Sequence, residues 1–211
     1  MSVQPDLILL FKSKDPKKKL CRLMLTTVEL RWFCHGIPSA ELQYWFSANC
    51  PGQPLGSPEE REDLYLYTPE CQYLNIKLRQ GSLEVKWRKA ELGILRFGDS
   101  WEGNVEKWLK WICKDPTQEN MIPAGVVGKG SWISVKKKRS QRRYKGVSYE
   151  LTQLNVKNDD WWSIAFEVAD EEAHQSDRFQ EVVSAVSQTY PGSKLLTNSS
   201  YAYPNWLSLL R

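Results

Sequence analysis

"NIKLRQGSLEVKWR", Asn75 to Arg88, alternates with a period of two in each of its halves. Leu74, Ile76 and Leu78 interleave with Asn75, Lys77 and Arg79; beyond Gln80-Gly81, Leu83, Val85 and Trp87 interleave with Glu84, Lys86 and Arg88. Successive side chains of a strand point to opposite faces, so the stretch reads as a β-hairpin with one hydrocarbon face and one face of four cations and a carboxylate. The hydrocarbon face calls for a cover. What the charged face meets decides the fold.

The same division recurs along the chain. In "LCRLMLTTVELRWF" Met24, Thr26, Val28, Leu30 and Trp32 share one face, while Thr27, Glu29 and Arg31 share the other. Further strands are expected at "EDLYLY", "WISVKKKR", "YKGVSYELTQL" and "WWSIAFEV". Helices are expected at "SAELQYWFSAN" behind Ser39 as N-cap, at "GNVEKWLKWICKDP", where Val105, Trp108, Leu109 and Ile112 fall at i, i+3, i+4, i+7, and at "SDRFQEVVSAVSQTYPG". A last turn, "PNWLSLL", starts on Pro204. This is an α+β chain of about eight strands and three to four helices, forming a single domain over residues 1–211.

Two arrangements satisfy such strands. In an open antiparallel sheet, helices cover the hydrocarbon face and the charged face looks at water. In a closed barrel, helices coat part of the outside and the charges line the interior. The pattern alone favours the open sheet.

The net charge of +4, from 29 Lys and Arg against 25 Asp and Glu, excludes little by itself; the placement of charge carries the information. Five widely spaced cysteines without a C-x-x-C indicate neither a disulfide framework nor a zinc knuckle. The apolar run 7–11 is too short, and its lysines follow it rather than precede it, so no signal peptide or membrane span is expected and the protein is expected to be cytoplasmic.

With only His35 and His174, histidine-based metal sites and nucleophiles are scarcely available. "GVVGKGS" at 125–131 fails the phosphate-loop spacing and reads as a turn. "KKKRSQRRYK", Lys136 to Lys145, has seven basic residues in ten. It is a solvated hairpin tip, an outer nucleic-acid patch of Lys136, Lys138, Arg142 and Arg143, or an inner phosphate clamp through Lys137 and Arg139.

The order of these pieces resembles the CYTH or triphosphate tunnel superfamily, which includes thiamine triphosphatases, tripolyphosphatases and RNA triphosphatases. "TVELR" resembles its opening E-x-E-x-K strand through Glu29 and Arg31, and "DLYL" its Asp strand through Asp63 and Tyr65. "KLR" and "LEVKWR" resemble its R-x-R and Lys strands, "VKKKR" its K-x-R strand, "IAFEVAD" its late acidic strand, and "SSYAYPNWLSLL" its closing Ser-Tyr through Tyr201. The resemblance implies a closed antiparallel β-barrel of about eight strands with a few flanking helices. It reverses the preference for an open sheet.

It also implies a tunnel that holds a triphosphate or polyphosphate through Arg31, Lys77, Arg79, Lys86, Arg88, Lys137 and Arg139. Glu29 and Glu167 would be catalytic carboxylates, and Glu29, Glu84, Glu150 and Glu167 would hold Mg²⁺ or Mn²⁺. Thr27 and Ala165 stand where that pattern has carboxylates. Metal affinity should fall accordingly, which leaves two readings: a metal-dependent triphosphatase, or a non-catalytic module binding polyphosphate, nucleotide or RNA.

Overall fold

The computed structural model describes residues 21–114, 132–169 and 175–210. The turn read at 125–131, the run 7–11 and His174 lie outside the described residues. In chain order the elements are β1 (Cys21–His35), α1 (Ala40–Tyr44, continued by a π-helical turn Trp45–Asn49), β2 (Gln53–Pro54), β3 (Glu59–Leu66), β4 (Leu74–Arg79), β5 (Ser82–Phe97), β6 (Trp101–Lys114), β7 (Trp132–Tyr144), β8 (Val147–Val156), β9 (Asp159–Ala169), α2 (Gln175–Ser187) and α3 (Tyr203–Ser208).

Eight strands pair in the order β7-β3-β4-β5-β6-β1-β9-β8, and β8 pairs back onto β7, so the sheet closes into an antiparallel barrel. The short β2 adds to β7 at Arg142 and Arg143. The closed barrel, and not the open sheet favoured by pattern alone, is the fold. Local turn chemistry agrees: Gln80 and Gly81 both have positive φ, as the two-residue hairpin between β4 and β5 requires.

Outward residues of β1, β8 and β9, including Leu30, Trp32, Tyr149, Ile164 and Phe166, are covered by α1 and α2 through Leu42, Trp45, Phe46, Phe179, Val182 and Val186. Ser39 caps α1 as expected, accepting from the Leu42 amide at 3.1 Å. A second core lies inside the barrel. Phe33, Tyr65, Val135, Leu154 and Val156 point inward at one end, where α3 lays Trp206 and Leu207 across them. Phe33 stacks on Trp206 with ring centroids 4.5 Å apart and planes 4° from parallel. One end of the barrel is thereby plugged with aromatic rings.

Two expectations need correction. The segment read as a helix around Val105–Ile112 is strand β6, paired with both β1 and β5. Its helical spacing arises because the strand meets protein on both sides: Val105 packs outward in the core, while Trp108 points into the barrel and donates to Glu106 at 2.9 Å. The hydrocarbon face of the opening hairpin is not covered either. Leu74, Ile76, Leu78, Leu83, Val85 and Trp87 are only half-buried on the outer wall, and it is the charged face that is enclosed.

Candidate functional site

Above the aromatic plug the interior is a polar cavity of about 320 Å³. Strand alternation aims one side chain in two at it: Glu29 and Arg31 from β1, Arg61 from β3, Lys77 and Arg79 from β4, Lys86 from β5, Lys137 and Arg139 from β7, Glu150 from β8 and Glu167 from β9. The lining holds nine Lys and Arg side chains against four carboxylates. This excess is partly balanced by Asp63 and Glu84, buried behind the lining cations.

The deepest part of the cation wall is organised by Asp63, which is fully buried. Arg79 donates to both of its oxygens at 3.0 Å, Lys137 Nζ lies at 3.1 Å and Arg61 Nε at 3.3 Å. Burial alone would raise the Asp63 pKa; Lys137 and Arg79 outweigh it and hold the carboxyl well below the ordinary aspartate range. Lys137 also donates to the hydroxyls of Tyr65 at 2.6 Å and Tyr203 at 2.7 Å. Burial, opposed by Asp63, lowers its ammonium to about 7.

A second group joins Glu84 to Lys77 at 3.0 Å, Arg79 at 3.3 Å and Lys110 at 3.7 Å. Burial works against ionisation of Glu84, but Lys77 and Arg79 hold its pKa at about 2. A third joins Glu150 to Arg31 at 3.0 Å and Arg139 at 3.5 Å, with Arg31 also reaching Ser163 and lying 4.9 Å from the Tyr203 ring centre. In the fourth, Lys86 Nζ sits 2.6 Å from Glu29 and 3.3 Å from Glu167. Burial disfavours that ammonium, yet Glu167 and Glu29 raise its pKa above the ordinary lysine value.

The closing segment is tied to the wall by Ser200, whose hydroxyl donates to the Arg31 carbonyl at 3.0 Å and accepts from the Asn104 amide at 2.9 Å. This places Tyr201 and Tyr203 on the cavity. Thr152 Oγ1 and Arg139 Nε are buried in the same lining without a hydrogen-bond partner. Each has bonding capacity to offer a ligand.

Of the residues named from sequence, Glu29, Arg31, Lys77, Arg79, Lys86, Lys137, Arg139, Glu150 and Glu167 share this lining. Glu84 lies behind the wall under its cations, and Arg88 is turned aside by Glu106 at 2.6 Å and Glu91 at 2.8 Å. The outer patch named at Lys136, Lys138, Arg142 and Arg143 is not one surface. Arg142 is buried, donating to the carbonyls of Phe46, Ser47, Pro51 and Gly52, while Arg143 lines the cavity. Sequence reading missed Glu106 and Lys110, hidden by the helical reading of β6, and Arg61, whose alternation with Asp63 was the available signal.

Of the four carboxylates read as a metal set, Glu29 and Glu167 share Lys86, while Glu84 and Glu150 belong to two other ion-pair groups, so each is engaged by Lys or Arg. Among the described residues no three His, Cys, Asp or Glu side chains converge as metal ligands would. The donor set does not fit Mg²⁺ or Mn²⁺.

No family model and no curated protein matches this chain. Solved structures similar to it include a conserved hypothetical protein from Pyrococcus furiosus (15% identity, 84% of this chain and 98% of that one, TM-score 0.44). A protein from Pyrococcus horikoshii is 15% identical over 87% of this chain and 97% of its own, with a TM-score of 0.44. The Pct1 RNA triphosphatase of S. pombe is 11% identical over 77% and 76%, with a TM-score of 0.38.

Proposed function

We propose that the barrel cavity binds a linear triphosphate or short polyphosphate, free or carried on a nucleotide, and that it does so without hydrolysing it. The observation that carries this reading is the convergence of nine cationic side chains on one barrel cavity, open to solvent at one side, with an aromatic floor. A volume of about 320 Å³ lies at the lower end of the roughly 300–1,000 Å³ typical of small-ligand sites. That size suits a small polyanion better than a folded macromolecule. Each charge-assisted contact to phosphate is worth roughly 1.5–3 kcal/mol, so a few suffice for micromolar affinity.

Arg31, Lys86, Lys110, Arg139 and Arg143 are the cations best placed to contact phosphate. Arg79 spends three donors on Asp63 and Glu84, and Lys77 is buried against Glu84; both act mainly by building the wall and its potential. The order of the strand motifs supports reading the chain as a divergent CYTH-like barrel. The pairing of the cavity carboxylates with Lys and Arg side chains weighs against the metal-dependent triphosphatase reading. The nucleic-acid reading loses Arg142 from its surface, and Lys138 is paired with Glu60 at 3.2 Å.

The test is a calorimetric titration with tripolyphosphate and ATP beside a phosphate-release assay with Mg²⁺ and Mn²⁺. Binding without turnover is expected. Rapid metal-dependent release abolished by Glu29→Gln would make the protein an enzyme. Tight RNA binding lost on Lys136→Glu with Lys138→Glu would make the outer surface the site.

A further inference from the structure

The inner faces of β6, β1 and β9 carry carboxylates in a single row. Glu29 is in register with Glu106 on one side and with Glu167 on the other. Directly opposed cross-strand side chains have Cβ atoms only about 5 Å apart, so such a row repels itself unless cations are placed against it. At one end the cation is Arg88, 2.6 Å from Glu106, with the Trp108 indole donating to the same carboxylate at 2.9 Å. At the other it is Lys86, which belongs to β5 and lies beside Lys110 of β6 in the register. Its stem reaches over β6 to place Nζ between Glu29 and Glu167, at 2.6 and 3.3 Å. Thr27, where the resembled pattern has a carboxylate, donates its hydroxyl to Glu29 at 2.6 Å and adds no charge.

We infer that the Lys86 ammonium occupies the position between Glu29 and Glu167 that a divalent cation would take, so that the cavity binds phosphate chains independently of Mg²⁺ or Mn²⁺. The inference rests on the polyphosphate reading for its ligand, but not for its exclusion of metal. A divalent ion held by these two carboxylates would face an ammonium already within hydrogen-bond distance of both, and the third member of the row is engaged by Arg88. Hard divalent ions need several oxygen ligands free to converge on them, and here the oxygens are shared with nitrogen cations. The ammonium has three donors. Two meet carboxylates, which leaves one for a phosphate oxygen.

Two measurements test this on the full chain. Mn²⁺ titration followed by electron paramagnetic resonance should find no submillimolar site in the native protein, and Lys86→Met should create one that is lost again in the double variant with Glu29→Gln. Calorimetry with tripolyphosphate should give the same affinity in EDTA as with Mg²⁺, once ligand complexed by free Mg²⁺ is accounted for. Submillimolar Mn²⁺ binding by the native protein that is removed by Glu29→Gln would overturn the inference, as would tripolyphosphate binding that requires Mg²⁺. If Lys86→Met does not fold, the comparison of the native protein with Glu29→Gln decides alone. Absence of tripolyphosphate binding under every condition would remove the polyphosphate reading while the Mn²⁺ data still judged Lys86.

Discussion

Replacing Asp63 by Asn removes one charge from a fully buried site where Arg79, Lys137 and Arg61 converge within 3.0–3.3 Å. The shape is nearly conserved, so the effect isolates charge. Taking one partner from a buried ionic network costs roughly 3–5 kcal/mol because the remaining cations stay buried without compensation. For a chain of this length each kcal/mol shifts the melting temperature by about 2–4 °C, so a fall of roughly 6–20 °C is expected. The same substitution should tighten ligand binding. One unit charge acting on a phosphate at about 8 Å through an effective dielectric of about 20 amounts to ~2 kcal/mol, on the order of thirtyfold in affinity before screening. Thermal unfolding with and without tripolyphosphate, and calorimetry at two ionic strengths, read both quantities. The variant should melt lower, gain more stabilisation from ligand than the parent, and lose that advantage in high salt. A variant as stable as the parent, or one that is folded yet binds more weakly, would refute the view that Asp63 holds repelling cations together.

Lys110→Met should weaken tripolyphosphate binding about tenfold with little loss of stability, since its ion pair with Glu84 is long at 3.7 Å, whereas Lys138→Met on the outer wall should change neither. Lys137 should give binding a pH dependence. Burial against the pull of Asp63 lowers it from 10.5 to about 7, so between those values the folded protein holds fewer protons than the unfolded chain. Its charged form opposes folding fully below pH 7, and that penalty fades as pH rises. Bound phosphate restores the proton, so affinity should fall above pH 7 by up to about tenfold per pH unit, and Lys137→Met should flatten that slope in calorimetric proton-uptake measurements. Trp206→Ala should cost roughly 3–5 kcal/mol in urea unfolding by emptying the plug against Phe33.

The alternation in β1, β4, β5 and β7 was legible in the sequence because side-chain direction in a strand depends on parity alone. It grouped Glu29 with Arg31, Lys77 with Arg79, Glu84 with Lys86, and Lys137 with Arg139, each pair on one face. The hairpin turn at Gln80-Gly81, the Ser39 cap and the Pro204 helix start are equally local, and each forms as its residue types require. Parity cannot say which face meets water. An open sheet and a closed barrel have the same alternation with inside and outside exchanged, and pattern alone favoured the wrong one. Closure depends on β8 pairing with β7 as well as β9, a contact between strands that no local period reports. The same non-local fact explains the remaining errors. A barrel strand meets protein on both faces, so Trp108 inside and Val105 outside imitate a helical stripe in β6, concealing Glu106 and Lys110. Arg142, outward by parity, is buried because the chain after α1 folds back and offers it four carbonyls. Which cation answers which carboxylate was likewise beyond the sequence, because Lys86 of β5 meets Glu29 and Glu167 of β1 and β9 over the intervening β6, a neighbourhood set by the strand order and curvature of the closed sheet.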